Sequence, residues 1–234
     1  MSLFKRGETW WIDITVPGKE RVRRSAGTND RKQAREYHDT LKVRYITPDE
    51  FARLVNELPD HLKQVVVFAV ATGLRMRNIT ELEWREVDLA RKLATVDPKN
   101  GVLLTVPLNE VAIRVLEQQV GKNETRVFLD HKNRPFDNAN TAAFKKALKR
   151  AGIDDFRFHD LRHTWASWMI QNGVDEYQLQ QLGGWLDPKM VRKYAHLSDS
   201  QLGKSAGVID VVVPHMAQMR HSREVDVVTC TVTH

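Results

Sequence analysis

The stretch between positions 158 and 197 contains several side chains whose types and spacing suit chemistry on a phosphate. His159 and Arg162 are three residues apart, a spacing that places both on one face of a helix. Trp185 and Tyr194 follow, nine residues apart. A guanidinium can bind a phosphate through two parallel hydrogen bonds. A phenol is a credible nucleophile only where nearby cations lower the cost of its ionisation. The stretch therefore combines phosphate-binding groups with a candidate phenolic nucleophile.

Two residues upstream extend this set: Arg75, which ends an Ala-Thr-Gly-Leu-Arg sequence, and Lys99, which lies in a Pro-Lys-Asn-Gly turn. With them the chain resembles the tyrosine recombinases of the phage-integrase type. That family carries an Arg, a Lys, a His-x-x-Arg pair, a His or Trp, and a Tyr in this order, and each has a counterpart here. The resemblance covers about residues 45–202, and a weaker one covers the first 44 residues.

The resemblance implies that the chain breaks and rejoins DNA. Arg75 and Arg162 are expected to bind the non-bridging oxygens of the scissile phosphate. Tyr194 is expected to attack the phosphorus, which gives a 3′-phosphotyrosine link and a free 5′-hydroxyl. Lys99 is the expected general acid, and His159 is the group expected to assist proton transfer from Tyr194.

The same resemblance gives Trp185 two roles, as a donor of its indole hydrogen and as a support for the pocket. The covalent link keeps the energy of the broken bond, so no ATP is expected. Side-chain cations are expected to do the work that metal ions do in other phosphate-cleaving sites.

Zinc hydrolysis is a weaker interpretation of the same stretch. His159 and His163 are four residues apart, as in zinc-binding helices. However, Asp160 stands where that motif has Glu, and no third ligand is evident. The single cysteine, Cys230, allows neither a cysteine-based zinc site nor a disulfide framework. We therefore expect no metal and no other cofactor.

The charge of the chain favours an anionic partner. The net charge is +6 and the pI is about 9.5. Residues 1–45 hold eleven Lys and Arg against six Asp and Glu, an excess of five. A solvated basic face is the plain alternative. With a recombinase-like body attached, double-stranded DNA is the preferred prediction, and the residues expected to contact it are Lys5, Arg6, Arg21, Arg23 and Arg24.

The first 44 residues predict a small β-sheet with a helix. Trp10–Val16 and Arg21–Ser25 have strand composition, and a Pro-Gly-Lys turn separates them. Thr28 begins a Thr-Asn-Asp cap for a helix over Arg31–Leu41. This arrangement resembles the arm-binding module of phage integrases. A basic βα piece with a small tryptophan-filled core is the alternative.

A departure from the family pattern follows at residue 45. Family members usually place a helical core-binding domain between the arm-binding module and the catalytic domain. Here the predicted first catalytic helix begins at once, because Thr47 and Glu50 form a capping box around Pro48. We predict three parts: residues 1–44, an arm-type DNA-binding module; residues 45–202, the catalytic domain; and residues 203–234, a C-terminal tail.

The predicted fold class is α+β, with a mainly helical catalytic domain that carries a small β-hairpin. A helix over Asp60–Thr72 is expected to end at Gly73. Asn100 and Gly101 favour a hairpin turn between two strands. Further expected elements are strands over Leu93–Val96 and Val102–Val106, helices over Asn109–Gln119, Asn138–Ala151, His159–Gln171 and Val174–Leu182, and a short helix after Asp187 and Pro188 that carries Tyr194.

The sequence therefore predicts a phage or prophage integrase that performs site-specific recombination. The alternative is a truncated DNA-binding remnant or regulator that occupies integrase sites without completing recombination. We expect a homo-oligomer on DNA, accessory DNA-bending proteins and no membrane partner. The absence of a signal-like apolar run favours the bacterial cytoplasm, in association with the nucleoid.

Overall fold

The structure is a computed structural model that describes residues 2–15, 21–35, 43–97, 103–136 and 138–197. Lys99 and the predicted C-terminal tail lie outside the described residues. The same holds for the second half of the helix predicted over Arg31–Leu41, which is described as helix α1 at residues 31–35.

The N-terminal part forms a three-stranded antiparallel sheet. Its strands are β1 (Ser2–Arg6), β2 (Thr9–Thr15) and β3 (Arg21–Ser25), in the order β1-β2-β3. The register places Phe4 opposite Trp11 and Asp13 opposite Arg23. The predictions for β2 and β3 are confirmed. Strand β1 was not predicted.

The rest of the described chain is mainly helical. Its first three helices are α2 (Pro48–Glu57), α3 (Asp60–Thr72) and α4 (Met76–Thr80). The remaining helices are α5 (Glu110–Glu117), α6 (Ala142–Arg150), α7 (Asp160–Gln171), α8 (Glu176–Gly183) and α9 (Lys189–Arg192), with 3-10 turns at Trp84–Glu86 and Ala195–Leu197. A second antiparallel sheet contains β4 (Val87–Asp88), β5 (Leu93–Val96) and β6 (Leu104–Pro107). The predicted α+β class is confirmed.

Local sequence signals fix the ends of α2 and α3. The Thr47 hydroxyl accepts a hydrogen bond from the Glu50 amide at 3.2 Å, and the Glu50 carboxylate accepts one from the Thr47 amide at 2.7 Å. This is the predicted capping box. Helix α3 ends at Gly73, which adopts the left-handed conformation with φ 65°.

Two buried clusters hold these elements together. In the larger one, α3 packs against α5 and α7, and α2 packs against α6. The smaller cluster surrounds Tyr194 and contains Trp165, Trp185 and Val191. Ile12 of β2 belongs to this smaller cluster. The N-terminal sheet therefore shares buried apolar surface with the region that carries the candidate nucleophile.

Two predicted helices differ from the structure. Helix α6 begins at Ala142 instead of Asn138, because the Asn138 side chain accepts a hydrogen bond from the Asn140 amide at 2.7 Å and forms a local turn. Tyr194 lies two residues beyond the end of α9. Its amide donates to the Val191 carbonyl at 2.9 Å, a tighter 3-10 bond, so the predicted helix does not continue through it.

Among the described helices, none combines the length and the hydropathy that crossing a membrane requires.

Candidate active site

The end of α3 places the first predicted arginine. Gly73 is required there on two grounds, its positive φ and the Trp165 ring, which a Cβ at this position would approach to 2.2 Å. The chain then turns, and Arg75 becomes the N-cap residue of α4. The Arg75 side chain lines an open polar pocket of about 610 Å³, next to Asn78 and Asp97.

Arg162 of α7 is buried at the centre of the site. Its Nη1 donates to the Gly73 carbonyl and its Nη2 to the Gly183 carbonyl, both at 2.5 Å. Its guanidinium carbon lies 4.1 Å from the centre of the Trp185 ring. Two of its five N–H groups thus join the ends of α3 and α8.

The charge of Arg162 persists despite this burial. Burial, and next the positive charge of Arg75, lower the pKa of Arg162 to about 10. The guanidinium therefore remains a cation at neutral pH. Because Arg75 and Arg162 repel each other, an anion placed between them would be attracted by both.

Tyr194 is fully buried in the smaller cluster. Its hydroxyl lies 2.6 Å from Nδ1 of His163, and its ring centre lies 6.2 Å from that of Trp185. Burial raises the pKa of the Tyr194 hydroxyl well above its usual value, and the positive charge of Arg162 opposes this. Nζ of Lys193 lies 5.2 Å from the centre of the Tyr194 ring. Burial and the Arg162 charge lower the pKa of Lys193 to about 8.

Two histidines of α7 lie beside the tyrosine. Burial lowers the pKa of His163 to about 3, and the charge of Lys193 contributes further. His163 is therefore neutral at physiological pH. The His159 ring meets the His163 ring edge-on, with 5.2 Å between centres and an interplanar angle of 89°. Partial desolvation, and next the Arg162 charge, lower the pKa of His159.

The structure thus brings together four of the six predicted residues, His159, Arg162, Trp185 and Tyr194, through direct contacts or through His163. Arg75 lies near enough for its charge to lower the pKa of Arg162, but its side chain lines a pocket that none of those four lines. The sixth, Lys99, lies outside the described residues.

Sequence reasoning missed two contacts at this site. The sequence suggested His163 only as a zinc ligand, whereas the structure places it on the tyrosyl hydroxyl. The second contact is made by Asn78, whose Nδ2 donates to the Asp97 carbonyl at 2.8 Å. That bond joins α4 to the end of β5, two residues before Lys99. Within the described part of the chain, no group of three His, Cys, Asp or Glu side chains could hold a metal ion.

The predicted DNA-binding residues of the N-terminal sheet have mixed surroundings. Lys5 lies 3.8 Å from the Glu8 carboxylate, and the Arg6 guanidinium lies 5.5 Å from the centre of the Trp11 ring. Arg23 is bound to the buried Asp13 at 3.0 Å, yet its side chain is 63% exposed. The two others, Arg21 and Arg24, lie on β3, and their side chains are outside the described set.

Comparison with known proteins gives two family matches. The model for the phage integrase family matches residues 44–201, and the model for the phage integrase N-terminal domain matches residues 2–45. The integrase of Salmonella phage P22 is 43% identical over 200 residues, which cover 77% of this chain and 51% of that protein. The chain spans about half the length of curated relatives such as this one and the integrase of Escherichia phage 186.

Solved structures show the same fold. The catalytic domain of bacteriophage HP1 integrase superposes with a TM-score of 0.58 at 24% identity, covering 74% of this chain and 99% of that one. The Tn1549 transposon integrase, solved in complex with transposon right end DNA, gives a TM-score of 0.61 at 14% identity, covering 70% of this chain and 66% of that one. With the family match over more than half of its length, the chain belongs to the phage integrase family of tyrosine recombinases.

Proposed function

We propose that the chain is a site-specific DNA recombinase that breaks and rejoins DNA through a 3′-phosphotyrosine intermediate. The observation that carries this proposal is the cluster of Arg162, Trp185 and Tyr194 within one chain, with Arg75 close enough to act on the Arg162 charge. A phosphodiester carries a negative charge that must be neutralised before an anionic nucleophile can approach it. Two arginines at one place meet that need.

The proposed roles of the six residues are those that the resemblance to the family implies. Arg75 and the remaining N–H groups of Arg162 bind the non-bridging phosphate oxygens. Tyr194 attacks the phosphorus, and His159 assists the transfer of its proton. Lys99 protonates the departing 5′-oxygen. The Trp185 ring packs against the Arg162 guanidinium. Its indole N–H is proposed to donate a hydrogen bond to the phosphate.

Double-stranded DNA is the proposed partner. The Tn1549 integrase, whose fold the chain shares, was solved with DNA. In the N-terminal sheet, Arg6 beside Trp11 and Arg23 opposite Asp13 are both exposed, which gives this sheet cations for phosphates. We propose a division into residues 1–44, 45–202 and 203–234, and its first boundary is supported by family matches that meet at residues 44 and 45. The same proposal includes assembly as a homo-oligomer on DNA and accessory proteins that bend DNA. It also includes a cytoplasmic, nucleoid-associated location.

A DNA-binding remnant or regulator is the second candidate. The two family matches leave no residues between them for a helical core-binding domain. Such a chain would occupy integrase sites and lack a clamp on the far side of the duplex.

A nicked suicide substrate separates the two candidates. The short 5′-hydroxyl fragment diffuses away after cleavage, so that a covalent protein–DNA adduct accumulates and is seen on a denaturing gel. We expect the wild type to form this adduct and Tyr194→Phe, which lacks only the attacking oxygen, to bind DNA without forming it. Arg75→Ala is expected to slow adduct formation by about 2.7–4 kcal/mol in activation free energy.

The yield with the wild-type chain is expected to be low, and a core-binding domain inserted between residues 41 and 45 should raise it. If the wild type binds DNA but forms no adduct even with that domain inserted, the recombinase proposal is wrong and the remnant stands.

A further inference from the structure

The hydroxyl of Tyr194 has a specific partner, Nδ1 of His163, at 2.6 Å. This is a short distance for a hydrogen bond between an oxygen and a ring nitrogen. The two ring centres are 6.0 Å apart, with an interplanar angle of 47°. His163 directly follows Arg162 on α7, so the helix that supplies the buried guanidinium also fixes this imidazole.

The tautomer of His163 determines the direction of that hydrogen bond. Burial, together with the nearby charges of Lys193 and Arg162, disfavours the imidazolium form. The neutral imidazole carries one proton, on either Nδ1 or Nε2. The tautomer in which the tyrosyl oxygen donates to Nδ1 has its proton on Nε2, and it is this tautomer that the inference below assigns to His163.

We infer that His163 is a catalytic residue that accepts the Tyr194 proton during attack on the DNA phosphate. This inference rests on the recombinase function proposed above. The Tyr194 O–H bond breaks as its proton moves to Nδ1, and the phenolic oxygen forms a bond to phosphorus. The bond from phosphorus to the 5′-oxygen breaks, and Lys99 supplies the proton that makes this oxygen a hydroxyl. The reverse step returns the proton from His163 to Tyr194.

His159 packs beside this pair, with its ring edge-on to that of His163. That ring contact, and the effect of the His159 charge on the pKa of His163, make His159 a positioning residue for the transfer.

Bound DNA would strengthen this base. The cations that disfavour protonated His163 are Lys193, Arg162 and Arg157, together with His159 when it is charged. A phosphate diester that binds Arg162 and Arg75 offsets part of that positive charge. An imidazole is easier to protonate when nearby cations are neutralised. His163 is thus a weak base in the free protein and a stronger one when a phosphate is in place.

A substrate with sulfur in place of the bridging 5′-oxygen tests the assignment, because a thiolate leaves without a proton. His163→Asn keeps an acceptor atom near the position of Nδ1 but cannot take the proton. We expect it to slow adduct formation on ordinary DNA by about 100- to 10,000-fold, the usual contribution of a general base. The sulfur substrate should restore the rate of adduct formation in Lys99→Ala, whereas the rate in His163→Asn should stay low. His159→Asn, on the same helix, leaves the bond between Tyr194 and His163 in place. Its rate of adduct formation should therefore fall less than that of His163→Asn.

Several outcomes would overturn the assignment while leaving the recombinase function intact. The first is a rate of adduct formation in His163→Asn within about tenfold of the wild type, since such a loss is smaller than the expected contribution of a base. The second is recovery of the His163→Asn rate on the sulfur substrate. Nitrogen NMR gives a readout independent of activity: Nδ1 of His163 should carry no proton, and its resonance should shift in Tyr194→Phe. A proton found on Nδ1 also overturns the assignment. A wild type that forms no adduct on either substrate, even with a core-binding domain inserted between residues 41 and 45, instead refutes the proposed function, and the catalytic role of His163 with it.

Discussion

The Arg162 guanidinium lies over the Trp185 ring, with 4.1 Å between the guanidinium carbon and the ring centre. Trp185 also contributes to packing, since its ring is stacked on that of Trp165, with 5.9 Å between ring centres and an interplanar angle of 30°. One indole therefore supports the buried cation and fills the cluster in which Tyr194 lies. A cation held against an aromatic ring away from water gains about 2 kcal/mol.

Removing this ring should be costly for stability. Trp185→Ala deletes a buried aromatic side chain, and we expect the free energy of unfolding to fall by about 3–5 kcal/mol. Trp185→Phe keeps an aromatic face under Arg162 and should lose markedly less. Urea denaturation of the two variants measures the difference. Equal losses in both would show that the ring does not support Arg162.

Gly73→Ala should damage folding and catalysis together. The new methyl group would meet the Trp165 ring, and the positive φ adds about 1 kcal/mol of strain. Moving Gly73 also moves the carbonyl that binds Arg162. Gly152→Ala is the matched control, because Gly152 has φ 68° and open space around its Cβ position.

We expect Gly152→Ala to lose only the stability that corresponds to the backbone strain, and to keep the wild-type rate of adduct formation. Thermal unfolding and the suicide-substrate assay would measure both effects. If the two variants behave alike, the contact with Trp165 is unimportant.

Asn78→Ala should slow the protonation of the leaving group. The variant loses the hydrogen bond that ties α4 to the Asp97 carbonyl, two residues before Lys99 in the sequence. We expect a loss of about fivefold in the adduct rate, in line with about 1 kcal/mol for one hydrogen bond. The sulfur-substituted DNA should abolish this loss, because Lys99 is then not needed.

Asn172→Ala is the control for Asn78→Ala. Asn172 makes an amide-to-carbonyl bond of the same length, 2.8 Å, but to Trp168 at the end of α7. Its adduct rate should equal that of the wild type. An Asn78→Ala rate that stays low on the sulfur substrate would contradict an action through Lys99.

Acid should destabilise the protein through His163. The pKa of this histidine is about 3 when folded and 6.5 in the reference state, so the unfolded chain binds the extra proton below pH 6.5. Stability is therefore lost as pH falls from 6.5 toward 3. At about pH 5 the loss is up to about 2 kcal/mol. Urea denaturation at about pH 7.5 and about pH 5 should show a smaller loss in His163→Gln, which has no such proton to bind. An identical loss in this variant would refute the prediction.

DNA binding through the N-terminal sheet should depend on salt. Each neutralised phosphate adds about −0.9 to the slope of log affinity against log salt concentration. We expect Arg23→Gln to reduce the magnitude of that slope by about the contribution of one phosphate contact. Arg134→Gln is matched to it, since Arg134 is 64% exposed and paired with Asp130 at 2.9 Å, as Arg23 is 63% exposed and paired with Asp13 at 3.0 Å. An unchanged slope in Arg23→Gln would place this residue away from DNA.

Sequence signals that act between near neighbours predicted their elements well. The capping box of Thr47 and Glu50 and the stop at Gly73 depend on bonds within a few residues, so they can be read directly from the sequence. Strand β1 was not predicted because its sequence lacks the alternation of apolar and polar residues that is typical of strands. Leu3 is followed by a second apolar residue, and the two charged residues Lys5 and Arg6 are also adjacent. Pairing with β2, and not composition, makes this segment a strand.

The sequence named candidate members of the site but did not indicate their contacts. The family pattern identified Arg162 and Tyr194, but Tyr194 and His163 are 31 residues apart, and only tertiary packing brings them to hydrogen-bonding distance. The two backbone carbonyls that hold Arg162 likewise carry no side-chain signature. The contact of Asn78 with Asp97 depends on how α4 meets the end of β5.

The complete burial of Tyr194 has a kinetic consequence. An oxygen that lies beneath other side chains cannot collide with a phosphate until the segment around it moves. Cleavage then requires two successive events, DNA docking and uncovering of the tyrosine. As DNA concentration rises, the observed rate should reach a plateau that is set by the slower of uncovering and chemistry. Where uncovering is the slower event, a better leaving group will not raise that plateau.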